Sequence, residues 1–155
     1  MSFGAYDDAI WHTSGILMGD LAELHAFARL PPLTAHARIE RGLKLELAQR
    51  IFLQLDMALA TQSHVLNVPV RTLQRWSKTP KRSKLDVQAG NQLYQFSRLF
   101  DLAIETFGST QAALEWFSEQ QPGLNNEKPL QLVSTNAGAR SIEQLLGRIR
   151  YGVYT

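Results

Sequence analysis

Apolar residues recur at helical spacing along most of this 155-residue chain, and that periodicity limits the possible fold more than any other feature. In three stretches they return every three or four residues, which places them on one face of a helix. The stretches contain Leu43, Leu47, Ile51 and Leu55; Leu93, Phe96, Phe100, Ala103 and Phe107; and Ile142, Leu145, Leu146, Ile149 and Val153. No run of β-branched residues alternates with polar ones, so the sequence predicts an all-α fold. The one short strand candidate, residues 130–132, fits a helical turn after Pro129 equally well.

Residues that start or stop helices divide the chain into segments. In the first half they predict a helix over about residues 20–29 closed by Pro31-Pro32, a short helix ended by Gly42, and a break at residues 77–83 around Pro80. In the second half they predict a long helix capped by Asp86 and ended near Gly108, a helix capped by Ser109 or Thr110, and a last helix over about residues 139–151.

Composition excludes several classes of protein. The chain has no cysteine, which rules out disulfide scaffolds, thiol nucleophiles and metal sites with cysteine ligands. The longest stretch without a charged residue, 57–70, is partly polar and shorter than the roughly 20 apolar residues that span a bilayer. Residues 1–8 contain Asp7 and Asp8 but no lysine or arginine, unlike a signal peptide. We therefore expect a soluble, cytoplasmic protein.

Positive charge is concentrated in one segment. Residues 57–85 contain six basic residues and no acidic one, whereas the rest of the chain has ten basic and fourteen acidic residues. A basic segment on an acidic body is typical of a nucleic-acid-binding surface, although a solvated run of charge is the alternative. The local sequence decides between the two interpretations.

Residues 59–76 have the pattern of a helix-turn-helix. The first helix is predicted to end at Leu66, and Asn67 takes the turn, where asparagine tolerates the left-handed conformation. Pro69 is predicted at the first position of the second helix, where its missing N–H costs nothing. Small Ser63 stands four residues before the turn. The residues predicted to face inward are Leu66, Val68, Leu73 and Trp76.

The outer face of the second helix is predicted to read DNA. Its exposed residues are Val70, Arg71, Gln74 and Arg75, and in this motif the early residues of the second helix meet base edges in the major groove. Arginine pairs with guanine and glutamine with adenine. The phosphate-binding candidates that follow are Lys78, Lys81, Arg82 and Lys84. Specific binding would require a twofold dimer with half-sites about 34 Å apart. An ordinary helical hairpin with a basic face is the alternative.

No arrangement of residues suggests an enzyme. The four histidines, His12, His25, His36 and His64, lack metal-ligand spacing, and no glycine-rich loop is suited to a phosphate. We expect neither a metal nor a cofactor. The three tryptophans, Trp11, Trp76 and Trp116, are predicted to pack in the core.

The C-terminal half carries a pattern that resembles a known family. Its elements are Arg98-Leu99-Phe100, residues 103–108, residues 112–117, Pro129-Leu130-Gln131-Leu132, Thr135, Gly138 and residues 142–154, which end in Arg-Ile-Arg-Tyr-Gly-Val-Tyr. This resembles the Xre–MbcA–ParS type of antitoxin, over roughly residues 42–155. Where that family often has two glycines before its Pro-Leu, this chain has Asn125-Asn126. Residues 1–32 resemble nothing that we recognise.

The resemblance implies a non-enzymatic antitoxin of a type II toxin–antitoxin pair. Its partner would be a RES-domain toxin that depletes NAD⁺, and the antitoxin would cover the NAD⁺ site of that toxin with its C-terminal region. It would also repress its own operon and associate through its C-terminal domain. The toxin-binding residues would be Arg148, Arg150, Tyr151, Gly152, Val153 and Tyr154.

The resemblance also implies a division of the chain. We expect an N-terminal extension over residues 1–32, a helix-turn-helix domain over residues 33–85, and a dimerisation and toxin-neutralising domain over residues 86–155. Two other functions stay open. One is a stand-alone dimeric helix-turn-helix regulator without a toxin partner, and the weaker one is a small hydrolase without a recognisable signature.

Overall fold

The computed structural model describes residues 21–152, and within that range the chain is built of helices. The helices of the first half are α1 (Ala22–Ala28), α2 (Pro32–Arg41), α3 (Leu45–Gln54), α4 (Leu59–Leu66) and α5 (Val70–Ser77). Those of the second half are α6 (Val87–Phe107), α7 (Thr110–Ser118), a 3₁₀ turn (Pro122–Leu124), α8 (Pro129–Leu132) and α9 (Asn136–Arg150). The all-α prediction is confirmed, and residues 130–132 form a helical turn instead of a strand.

Side-chain caps fix the start of three helices in the second half. The Asp86 carboxylate accepts a hydrogen bond from the Ala89 N–H at 2.8 Å, which confirms Asp86 as the N-cap of α6. The Ser109 hydroxyl accepts one from the Ala112 N–H, so Ser109 instead of Thr110 caps α7. The last helix starts at Asn136, three residues earlier than predicted, because the Thr135 hydroxyl caps it.

The long helix α6 forms the centre of the molecule. Helices α1, α2, α4, α7 and α9 all pack against it. Phe96 and Phe100 of α6 are buried beside Phe117 of α7, with ring centroids 5.5–6.0 Å apart. Full burial of such a side chain stabilises the fold by about 2–3 kcal/mol, so this cluster holds α7 firmly against α6. Trp116 is also buried, while Trp11 lies outside the described residues.

The first described helix packs closely against α6. Phe27 of α1 is buried and meets the Tyr94 ring edge-on, with centroids 5.5 Å apart. Next to this contact, Arg29 donates hydrogen bonds to both oxygens of the buried Asp101 carboxylate, at 2.9 and 3.0 Å. That hydrogen bonding, together with the negative charge of Asp101, raises the pKa of the Arg29 guanidinium. His25 also contacts Asp101, so one carboxylate holds both His25 and Arg29.

The loop before α8 depends on left-handed backbone. Asn125 and Asn126 have φ angles of 56° and 63°, a conformation that glycine adopts freely and asparagine tolerates. The Gln121 N–H then donates a hydrogen bond to the Glu127 carbonyl and closes the turn. The Asn125-Asn126 pair therefore provides the backbone conformation that two glycines would provide.

Candidate functional site

The turn between α4 and α5 has the geometry of a helix-turn-helix. Asn67 ends α4 in the left-handed conformation, with φ 56° and ψ 46°, as the sequence predicts. The Ser63 hydroxyl donates a hydrogen bond to the Val68 carbonyl at 2.6 Å, and the Val68 N–H donates one to the Ser63 carbonyl at 3.0 Å. Ser63 therefore binds both the N–H and the carbonyl of Val68, the residue that follows Asn67 in the turn.

Helix α5 begins one residue later than predicted, at Val70 instead of Pro69. The Pro69 ψ of 144° is extended, so Pro69 is the N-cap of α5 and not its first helical residue. The Pro69 carbonyl accepts hydrogen bonds from the N–H groups of Thr72 and Leu73. The N-cap residue of a helix prefers extended backbone, and the fixed φ of proline is compatible with that conformation. Pro69 can therefore occupy the N-cap instead of the first helical position.

The inward and outward faces of α5 are as predicted. Leu66, Val68 and Leu73 are buried, and Trp76 is half-buried against the core. On the opposite side Arg71, Gln74 and Arg75 are exposed and Val70 is half-buried. Neither arginine forms a salt bridge with a carboxylate in the described part of the chain. Both guanidinium groups are therefore available to an external acceptor.

The basic loop after α5 is held in a defined position. The Ser83 hydroxyl donates to the Trp76 carbonyl at 3.1 Å, which ties the loop to the end of α5. The Leu45 N–H donates to the Ser83 carbonyl and the Leu85 N–H to the Leu43 carbonyl, at 3.0 and 2.7 Å. All four candidates for phosphate contact are exposed on this loop: Lys78, Lys81, Arg82 and Lys84.

The end of α9 presents two of the predicted toxin-binding side chains to solvent. Tyr151 is 77% exposed, and the Arg150 guanidinium lies over its ring, 6.0 Å from the centroid. Arg148 is half-buried, and Gly152 follows with a φ of 71°. The other two predicted residues, Val153 and Tyr154, lie outside the described residues.

The histidines in the described range do not form a site. His64 shares a hydrogen bond with the Gln131 carbonyl, His25 contacts Asp101, and His36 is exposed; His12 lies outside the described range. Across residues 21–152 no group of three or more histidines and carboxylates is placed to hold a metal ion. Over the same residues no helix has both the length and the apolar character of a membrane span.

Two family models match consecutive parts of the chain. Residues 34–98 match the antitoxin Xre-like helix-turn-helix domain. Residues 102–152 match the antitoxin Xre/MbcA/ParS C-terminal toxin-binding domain. The fold and these matches define a helix-turn-helix protein with a C-terminal toxin-binding domain. The chain belongs to the Xre/MbcA/ParS antitoxin family.

Relatives named Antitoxin Xre are similar to this chain in sequence. The protein of Yersinia enterocolitica is 25% identical over 118 residues, which cover 76% of this chain and 78% of that protein. The protein of Pseudomonas putida is 26% identical over 85 residues, 55% of this chain and 52% of its own length. The protein of Photorhabdus laumondii is 24% identical over 90 residues, 57% of this chain and 60% of its own length.

Proposed function

We propose that this chain neutralises a RES-domain toxin by covering the NAD⁺ site of that toxin with the end of α9 and the residues after it. The observation that carries the proposal is the match of residues 102–152 to a toxin-binding domain, because that match includes Arg148, Arg150 and Tyr151. The RES domain and the NAD⁺ site come from the family resemblance.

The chemistry of these side chains suits a dinucleotide pocket. Arginine forms charge-assisted, often paired hydrogen bonds with carboxylates, such as acidic groups at the edge of such a pocket. An aromatic ring such as that of Tyr151 stacks in space shaped for a planar base. Both Arg150 and Tyr151 are exposed at the end of α9, so they can enter a partner without unfolding this chain.

The second part of the proposal is repression of the operon. The exposed guanidinium groups of Arg71 and Arg75 and the Gln74 amide lie together on one face of α5, where this motif contacts base edges. The basic loop would contact phosphates. We assign DNA binding to residues 33–85, and dimerisation and toxin binding to residues 86–155. The dimer would present two α5 helices to half-sites about 34 Å apart.

Co-expression with the protein encoded by the neighbouring gene, which the proposal expects to be a RES-domain toxin, tests the proposal. The full chain should restore growth, and a chain that lacks residues 151–155 should restore it poorly. Arg71→Ala/Arg75→Ala should restore growth fully but lose binding to the promoter fragment of the operon. Full protection by the truncated chain would contradict the covered NAD⁺ site.

A different pattern would favour the regulator without a toxin. In that case the chain would bind its promoter fragment, but it would neither copurify with a RES-domain protein nor restore growth in its presence. Promoter binding unchanged by Arg71→Ala/Arg75→Ala would contradict the role of α5.

A further inference from the structure

A cleft of about 450 Å³ lies among α1, α2 and α3, outside the basic segment that the sequence singles out. Its charged lining consists of four basic and two acidic residues: Arg38, Arg41, Lys44, Arg50, Glu23 and Glu46. Because basic groups outnumber carboxylates, the cleft has a positive character suited to an anion.

The basic groups of the cleft differ in their partners. Arg50 donates a hydrogen bond to Glu23 at 2.7 Å, and this hydrogen bond raises the pKa of the Arg50 guanidinium. Arg41 and Lys44 are exposed and form no salt bridge with any carboxylate of residues 21–152. Arg38 is also exposed, and its guanidinium rests 5.8 Å from the centroid of the Phe27 ring. The Glu23 carboxylate is therefore paired with Arg50, whereas Arg38, Arg41 and Lys44 can bind an external anion.

The cleft is continuous with the basic loop. Lys44 and Lys84 face each other in an isolated antiparallel β-bridge, held by the backbone hydrogen bonds at Leu43 and Leu45. The Lys84 side chain crosses directly over Gly42, since a Cβ at residue 42 would lie 2.9 Å from the Lys84 Cδ atom. We call the exposed cations along this path the basic strip: Lys81, Arg82, Lys84, Lys44, Arg41 and Arg38.

We propose that Arg38, Arg41 and Lys44 bind the phosphate backbone of duplex DNA beside the segment that α5 reads. This inference rests on the proposed DNA-binding function and extends its surface from the basic loop to α2. A single small anion would need only one pocket, whereas a strip of exposed cations fits a polymer that presents one phosphate per about 3.4 Å of axis in each strand. Such contacts fix the position of the protein on the duplex without reading its sequence.

Salt-dependent binding to a labelled duplex of random sequence, about four helical turns long, tests the inference. Random sequence isolates the backbone contacts, because no base-specific site is present. The variant is Arg41→Gln/Lys44→Gln, and its matched control is Lys128→Gln/Arg140→Gln, which removes the same charge from exposed residues on α9 and before α8. The slope of log affinity against log salt should become shallower by about 0.9 per lost contact, or about 1.8 in the double variant, and stay constant in the control.

A slope equal to that of the control would overturn the inference. Loss of preference for the promoter fragment over random DNA, with an unchanged slope, would also overturn it, because backbone contacts do not read sequence. Arg41→Gln alone, at an exposed helical position, should lower the slope by about 0.9 and gives an answer if the double variant unfolds. If the proposed DNA binding itself is wrong, the unsubstituted chain will bind neither the promoter fragment nor the random duplex. That result differs from failure of this inference, in which the unsubstituted chain binds DNA and only the slopes are equal.

Discussion

The Arg150 guanidinium donates a hydrogen bond to the Glu105 carboxylate across 2.9 Å, which joins the end of α9 to α6. Each side chain is 42% exposed, and Arg29 of the α1–α2 connection approaches the other oxygen of Glu105 at 3.7 Å. An ion pair with this exposure stabilises the fold by about 0–1 kcal/mol. Arg150 can therefore exchange Glu105 for a partner at little cost.

Glu105→Gln should leave the fold intact and strengthen toxin binding. The substitution removes the carboxylate that competes for Arg150, and a pair worth about 0.5 kcal/mol corresponds to a change in affinity of about two-fold. Calorimetric titration of the toxin partner measures this change. Glu40→Gln, an exposed residue on α2, is the control for lost negative charge. Weaker binding by Glu105→Gln would show that Arg150 must stay on Glu105 to be placed correctly.

The turn of the helix-turn-helix should tolerate glycine at residue 67 but not valine. Asn67 is left-handed, and a β-branched side chain in that conformation should destabilise the protein by about 1–2 kcal/mol. Asn67→Gly should change the free energy of unfolding by less than about 0.5 kcal/mol. Urea denaturation of both variants measures the difference, and equal midpoints would contradict the importance of the turn conformation.

Local signals in the sequence determine much of this fold. The cap at Asp86, the stop at Gly108 and the left-handed Asn67 each depend on neighbouring residues alone, and each is found as predicted. The same is true of the apolar stripe on α6, because burial of one helix face follows from its periodicity. The exposed residues of α5 could be predicted for the same reason.

Contacts between distant residues could not be predicted. Asp101 receives Arg29 from 72 positions away, and no spacing in the sequence indicates that pairing. The bridge between Lys44 and Lys84 likewise places two cations side by side that the sequence separates by a whole helix-turn-helix. The basic segment predicted from the sequence, residues 57–85, therefore includes Lys84 but not Lys44 or the cations of α2.

Removal of the three cations at the end of the basic loop should flatten the salt dependence of promoter binding. Lys81, Arg82 and Lys84 are exposed, so their replacement by glutamine should leave the core unchanged. Each lost phosphate contact should reduce the slope of log affinity against log salt by about 0.9. Fluorescence anisotropy at a series of salt concentrations measures the slope. An identical slope would show that these side chains do not reach the phosphates.

The Asp101 carboxylate should stabilise the attachment of α1. It is buried and binds Arg29 and His25, and hydrogen bonds to charged groups contribute about 1.5–3 kcal/mol each. Arg29 is 57% exposed, which weakens the pair, so we expect Asp101→Asn to lower the free energy of unfolding by about 1–2 kcal/mol. Hydrogen exchange should then accelerate in α1 before it does in α6. Uniform acceleration through both helices would contradict a local role.

Two glycines on α9 should respond to alanine in opposite ways. A Cβ at residue 138 would lie 2.0 Å from the Leu132 carbonyl oxygen, so Gly138→Ala must displace backbone between α8 and α9. A Cβ at residue 147 would meet no described atom within 4 Å, so Gly147→Ala should gain the helical preference of alanine, about 1 kcal/mol. Thermal unfolding should therefore shift downward for the first variant and upward for the second. Stabilisation by Gly138→Ala would show that the turn before α9 can move, and with it the whole helix that carries Arg150.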